Sequence, residues 1–176
     1  MLKHLPNLLT LLNLSIGLVA VLLVIQPSHP HKTLIIPALI LLGGIIDFFD
    51  GFLARRLRAS SQMGKQLDSF ADIITFGVAP ILLINYISHT HPTILIVVSI
   101  AYALAAAYRL ARFNLHDFSR HFQGLPITAA GLILAAYAAV YPQIPVITPA
   151  LILALSALMI SKRKIKRLEQ KTPPKT

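Results

Sequence analysis

The chain has 176 residues, 56% of them hydrophobic and only 12% charged, with a mean hydropathy of +0.72. That composition excludes an ordinary soluble domain and reads as an integral membrane protein. The formal net charge of +10 is no warrant for a nucleic-acid partner, because basic residues beside apolar runs are what the positive-inside rule places at a cytoplasmic membrane face; the absence of cysteine excludes disulfides and thiolate chemistry.

Apolar segments recur at residues 8–25, 33–54, 70–87, 93–110, 125–141 and 146–160. A helix needs about 20 apolar residues to cross the hydrocarbon core, within roughly 17 to 25, so six transmembrane helices are expected, the last of them short. The first run follows Lys3 in the manner of a secretory leader, but no small-x-small cleavage site succeeds it, and it is expected to stay as a span. Turn chemistry fills the breaks "QPSHPHK", "SHTHP" and "YPQIP", which therefore share one side of the membrane. Facing the other side are Lys3, Arg55, Arg56, Arg58, Lys65, Arg109, Arg112, Arg120 and the basic residues after Ile160, leaving Lys32 alone across the bilayer. This bias puts both termini in the cytoplasm. The expectation is one all-α integral membrane domain over residues 1–161, then a basic cytoplasmic tail over 162–176 that starts as a surface helix and ends frayed.

Asp47, Asp50, Asp68 and Asp72 are four of the six acidic residues in the chain. The first two are three apart near the end of the second span, and the other two are four apart where the third begins, so each pair occupies one helical face. Carboxylates at membrane depth cost about 2.5 to 3.5 kcal/mol each at mid-span and mark a functional site facing the protein interior by default. Four together repel, and a cation must hold them. A structural ion-pair cluster with Arg55, Arg56 or Lys65 is one reading, although apolar packing could replace such a cluster at little cost in stability. An all-oxygen set without cysteine or a nearby histidine suits hard divalent ions, Mg²⁺ or Mn²⁺, two of them sharing the carboxylates. Such a site neutralises phosphate and stabilises attacking and leaving oxygens, the chemistry of phosphoryl transfer. A divalent-cation transporter would also use intramembrane acids, but a permeation path needs polar groups through the full depth and these crowd one face.

The pattern Asp47-x2-Asp50-Gly51-x2-Ala54-Arg55-x8-Gly64-x3-Asp68-x3-Asp72 resembles, without a departure, the signature of the CDP-alcohol phosphatidyltransferase family. That resemblance implies a six-helix membrane fold, a homodimer, and four aspartates that bind divalent metal and the diphosphate of a CDP-linked lipid. It further implies Asp47, Asp50 and Asp68 as metal ligands, with Asp72 completing the site and accepting the proton of the attacking hydroxyl. Gly51, Ala54, Arg55 and Gly64 would contact the cytidine nucleotide. The opening Pro6-Asn7-x2-Thr10 is also similar to the family, so Asn7 and Thr10 would border the nucleotide pocket; with Asn13 they form a polar stripe whose ordinary role is hydrogen bonding between helices.

The acceptor alcohol is argued from other segments. "LDSFADIITFGVAP", "RLARFN" and "FQGLP" look like the branch of the family that transfers a phosphatidyl group from CDP-diacylglycerol to L-serine and releases CMP. Arg109 and Arg112 share a helical face, with Asn114 just beyond, and an arginine fork recognises the carboxylate that distinguishes serine from glycerol phosphate or inositol. Snorkelling to lipid headgroups is the plain alternative for either arginine, and an arginine would equally bind the phosphate of a glycerol-phosphate acceptor. Arg109, Arg112 and Asn114 are the expected serine-binding residues, at an active site facing the cytoplasm. His29, His31, His89 and His91 fall in the expected outer loops and need no metal, while His116 and His121 are assigned nothing beyond headgroup contact.

Overall fold

The computed structural model describes residues 5–26, 31–57, 59, 61–88, 90–115, 122–140, 145–161 and 164–165. Among them the chain forms six helices: α1 (Leu5–Ile25), α2 (Lys32–Arg56), α3 (Gln62–Ile87), α4 (Pro92–Leu115), α5 (Ile127–Val140) and α6 (Ile147–Ile160). The first four are long and apolar enough to cross a membrane, whereas α5 and α6 have 14 residues each. At 1.5 Å per residue those two cover about 21 Å, against a hydrocarbon core of about 30 Å. Large side chains such as Leu8, Leu22, Leu34, Phe48, Val97 and Leu104 stand exposed on the outside, the arrangement of a multi-pass membrane protein, whose outer surface meets lipid.

Two helix starts follow from local chemistry. The Ser61 backbone is extended and its Oγ accepts from the Gly64 N–H at 2.9 Å, capping α3. This start lies well before residue 70, where the apolar run begins, because the first turns of α3 are amphipathic rather than apolar. Pro92 opens α4, where its missing N–H costs nothing.

The centre of the bundle is α3, whose most apolar stretch is 56% buried against 22% for α2. It packs on all four of α1, α2, α4 and α5, while α4 also pairs with α6. Midway, residues Ile73–Val78 make a π-helical turn in which the Ala79 N–H bonds the Ile74 carbonyl. Pro80 explains the break. It has no N–H to offer the Phe76 carbonyl four residues back, and the freed carbonyl instead accepts from the Tyr102 hydroxyl of α4 at 3.1 Å. Neighbouring helices are notched to receive this widened turn. A Cβ at Gly17 of α1 would lie 2.3 Å from Thr75 Oγ1, and one at Gly131 of α5 would lie 2.6 Å from the Phe76 carbonyl oxygen. Buried Ile36, Ile40, Leu83, Ile84, Leu134 and Ile152 fill the apolar core around it.

The two-residue strands β1 (Phe122–Gln123) and β2 (Lys164–Ile165) pair antiparallel, with Phe122 opposite Ile165. The start of the tail is therefore partly extended, not the surface helix expected of it; residues 162–163 and 166–176 lie outside the described residues. Just after β1, Gly124 adopts φ +75°, and a Cβ there would come within 2.5 Å of the Met159 carbonyl oxygen. The Leu125 N–H donates to the Leu158 carbonyl at 3.1 Å, so this turn satisfies the end of α6 and fixes where α5 begins. Of the histidines, His31 precedes α2 in a left-handed conformation, and His29, His89, His116 and His121 lie outside the described residues.

Candidate active site

The end of α2 and the start of α3 meet with their acidic faces turned together. One carboxylate oxygen from each of Asp47, Asp50 and Asp68 lies within 4.8 Å of the others, a spacing that can hold a metal ion. The Asp47 carboxylate also neighbours that of Asp72. Asp72 is only 7% exposed, and its Oδ1 has no hydrogen-bond partner. Threonines from two other helices orient the acids. Thr10 Oγ1 of α1 donates to Asp50 Oδ2 at 2.9 Å, and Thr128 Oγ1 of α5 donates to Asp47 Oδ2 at a longer 3.4 Å.

Two compartments open on either side of this cluster. The first, of about 110 Å³, is lined by Asn7 and Thr10 of α1, Gly51 and Ala54 of α2, and Gly64 and Lys65 of α3. The second, of about 260 Å³, holds all four aspartates together with Arg55, Ser69, Arg109 and Thr128. Asp50, Gly51 and Asp68 border both, so the acids form the partition between them. Gly64 allows the first compartment its shape, since a Cβ there would sit 3.0 Å from Asn7 Oδ1.

Charge and ligand chemistry both suit a metal cation. The second compartment sets four carboxylates against two guanidiniums, Arg55 and Arg109, which leaves a negative excess. The donors are oxygens, the preference of hard ions. Arg56, one of the cations weighed for a purely structural cluster, instead lies over the Phe52 ring with its guanidinium carbon 6.0 Å from the ring centroid.

The structure brings the expected nucleotide-site residues into one region: Asn7, Thr10, Gly51, Ala54 and Gly64 line the first compartment, and Arg55 lines the second. It divides the expected serine-binding trio. Arg109 is 8% exposed and lines the second compartment, where its Nε has no hydrogen-bond partner. Arg112 lines neither compartment; its Nη1 donates to the Ile160 carbonyl at 3.2 Å and so helps close the end of α6. Asn114 is also set back, and its Nδ2 donates to Ser69 Oγ at 2.9 Å. Ser69 and Thr128 are lining residues that sequence reasoning missed. Ser69 had a signal, because it lies three positions before Asp72, a spacing that places both on one helical face. Thr128 had none, since only the fold brings α5 beside Asp47.

Relatives of this chain are recognisable by sequence. A CDP-diacylglycerol–serine O-phosphatidyltransferase of Bacillus subtilis (strain 168) is 36% identical over 164 residues, covering 92% of this chain and 89% of that protein. An archaetidylserine synthase of Methanothermobacter thermautotrophicus is 33% identical over 168 residues, covering 94% of this chain and 70% of that protein. A CDP-diacylglycerol–serine O-phosphatidyltransferase of Methanocaldococcus jannaschii is 33% identical over 162 residues, covering 92% of this chain and 73% of that protein. The family profile described as CDP-alcohol phosphatidyltransferase matches residues 3–161, taking in both compartments and the carboxylates between them. By that match, the chain belongs to the CDP-alcohol phosphatidyltransferase family.

Proposed function

We propose that the protein is a phosphatidylserine synthase, which transfers the phosphatidyl group of CDP-diacylglycerol to the hydroxyl of L-serine and releases CMP. The observation that carries this reading is the pair of compartments meeting at Asp50 and Asp68, one walled by small residues and the other holding a buried arginine. A donor and an acceptor need such adjoining sites if the attacking oxygen is to approach opposite the leaving group. Serine as the acceptor is supported by Arg109 in the second compartment and by the names of the relatives. Residues 1–161 form the catalytic membrane domain and 162–176 the basic tail.

In this reading the cytidine nucleotide occupies the first compartment, where Gly51, Ala54 and Gly64 permit close approach and Asn7 lies alongside. The diphosphate reaches the carboxylate cluster, and the acyl chains stay in the bilayer. Asp47, Asp50, Asp68 and Asp72 hold two divalent ions, Mg²⁺ or Mn²⁺, which when bound would neutralise phosphate charge and stabilise the attacking and leaving oxygens. Arg55 offsets charge on the phosphates. Arg109 pairs with the serine carboxylate, and Asp72 takes the hydroxyl proton as the new P–O bond forms and the bond to CMP breaks. The Lys and Arg distribution puts this end of the bundle, and both termini, at the cytoplasmic face. The family resemblance adds a homodimer.

The test supplies purified protein with CDP-diacylglycerol and Mg²⁺ or Mn²⁺, then adds serine, glycerol 3-phosphate or inositol in turn while CMP release is followed. Serine alone should drive release. Release driven by another alcohol in place of serine would overturn the acceptor assignment.

A further inference from the structure

Ser69 projects into the second compartment from α3, between two of the aspartates in sequence, and is only 8% exposed. Its Oγ donates its one proton to the Lys65 carbonyl at 3.1 Å and accepts from Asn114 Nδ2 at 2.9 Å. A hydroxyl has one hydrogen and two acceptor lone pairs, so one lone pair is left for the compartment. Ser69 can therefore meet an incoming molecule only as an acceptor. Two further buried atoms of the same compartment lack partners: Asp72 Oδ1, an acceptor, and Arg109 Nε, a donor. A donor suited to a carboxylate and an acceptor suited to an ammonium thus line one cavity, the complement of a zwitterion.

We propose that Ser69 Oγ, held in place by Asn114, receives the ammonium group of the acceptor amino acid while Arg109 takes its carboxylate. The inference rests on the serine reading above and extends it. Ser69 is then a specificity-determining residue, separating an amino acid from a hydroxy acid with no donor at the ammonium position, and Asn114 is a positioning residue that acts through Ser69. Asn114 thereby keeps a role in acceptor recognition from outside the cavity wall.

The experiment measures serine-dependent CMP release and its competitive inhibition by 3-hydroxypropionate, which keeps the carboxylate and hydroxyl but has no donor in place of the ammonium. Ser69→Ala should raise the KM for serine about tenfold, the loss expected for one hydrogen bond to a charged group. The KM for CDP-diacylglycerol and the inhibition constant of 3-hydroxypropionate should stay within about twofold in the same variant, a selectivity that general damage to the site would not produce. Ser69→Thr, which keeps the oxygen, should restore the serine KM, and Asn114→Leu should raise it in the same direction as Ser69→Ala. Equal weakening of serine and 3-hydroxypropionate in Ser69→Ala, or an unchanged serine KM in both Ser69→Ala and Asn114→Leu, overturns the assignment of Ser69 while leaving serine as the acceptor. Wild-type protein with no serine-dependent release overturns both readings together.

Discussion

At the end of the bundle where α1 finishes, the ammonium of buried Lys32 donates to the Val24 carbonyl at 2.9 Å and to the Gln26 carbonyl, and lies 4.1 Å from the centroid of the Tyr86 ring. At the opposite end, the equally buried Asp72 and Arg109 each keep an atom with no hydrogen-bond partner. Both ends bury charge, yet the acidic end leaves part of its hydrogen-bonding capacity unspent. Lys32 caps the carbonyls at the end of α1 and adds a cation–π contact. Its bonds are those of structure. The unspent atoms at the acidic end suit groups that arrive from outside, because leaving a buried polar atom unpaired costs about 1 to 3 kcal/mol. Asn13 also leaves both amide atoms unpaired in the interior between the two ends, and nothing in the structure explains it.

Changes at the acidic end should act on chemistry and those at the other end on stability. Chelation of divalent ions has the largest expected effect: CMP release falls to background and returns with Mg²⁺ or Mn²⁺. Asp72→Asn keeps the shape of the side chain but removes the proton acceptor, and should slow release by roughly 10²- to 10⁴-fold. Thermal unfolding of that variant should occur no earlier than in the parent, since a member of a crowded acidic group has lost its charge. A marked loss of stability would return Asp72 to a structural role. Thr10→Val removes the 2.9 Å bond to Asp50 and should lower activity about tenfold, whereas Thr128→Val, at 3.4 Å from Asp47, should lower it only a few-fold. Lys32→Met should reverse the pattern, losing about 1 to 3 kcal/mol of stability by denaturant titration with turnover per folded molecule unchanged. A loss of turnover there would erase the distinction between the ends.

The helical plan and the acidic cluster were legible in the sequence because both are written locally. Apolar runs mark where helices fall, and spacings of three and four fix which side chains share a face. Asp47 and Asp50 near the end of one span and Asp68 at the start of the next stand at adjoining helix ends, and the fold brings them together. Hydropathy missed the first turns of α3, where polar residues from Gln62 onward form a helix on the strength of the Ser61 cap and contacts with α1. The break at Pro80 went unread, since its consequence depends on Tyr102 arriving from α4 to take the freed carbonyl. The fate of the two arginines was hidden for the same reason. Arg109 and Arg112 look equivalent along one helix, and only the packing of α6 draws Arg112 to the Ile160 carbonyl while Arg109 lines the cavity. Thr128 was silent because its partner Asp47 is distant in sequence, whereas Ser69 was legible only through its place on the face of Asp72.

Electron paramagnetic resonance of Mn²⁺ titrated into the purified protein tests the central claim most directly, because it reads ion capture without requiring turnover. Wild-type protein should bind Mn²⁺, and Asp47→Asn and Asp68→Asn should each lose most of that binding while remaining folded by circular dichroism. Mn²⁺ binding that survives both substitutions undiminished, or a wild-type protein that captures none with CDP-diacylglycerol present, would contradict the account.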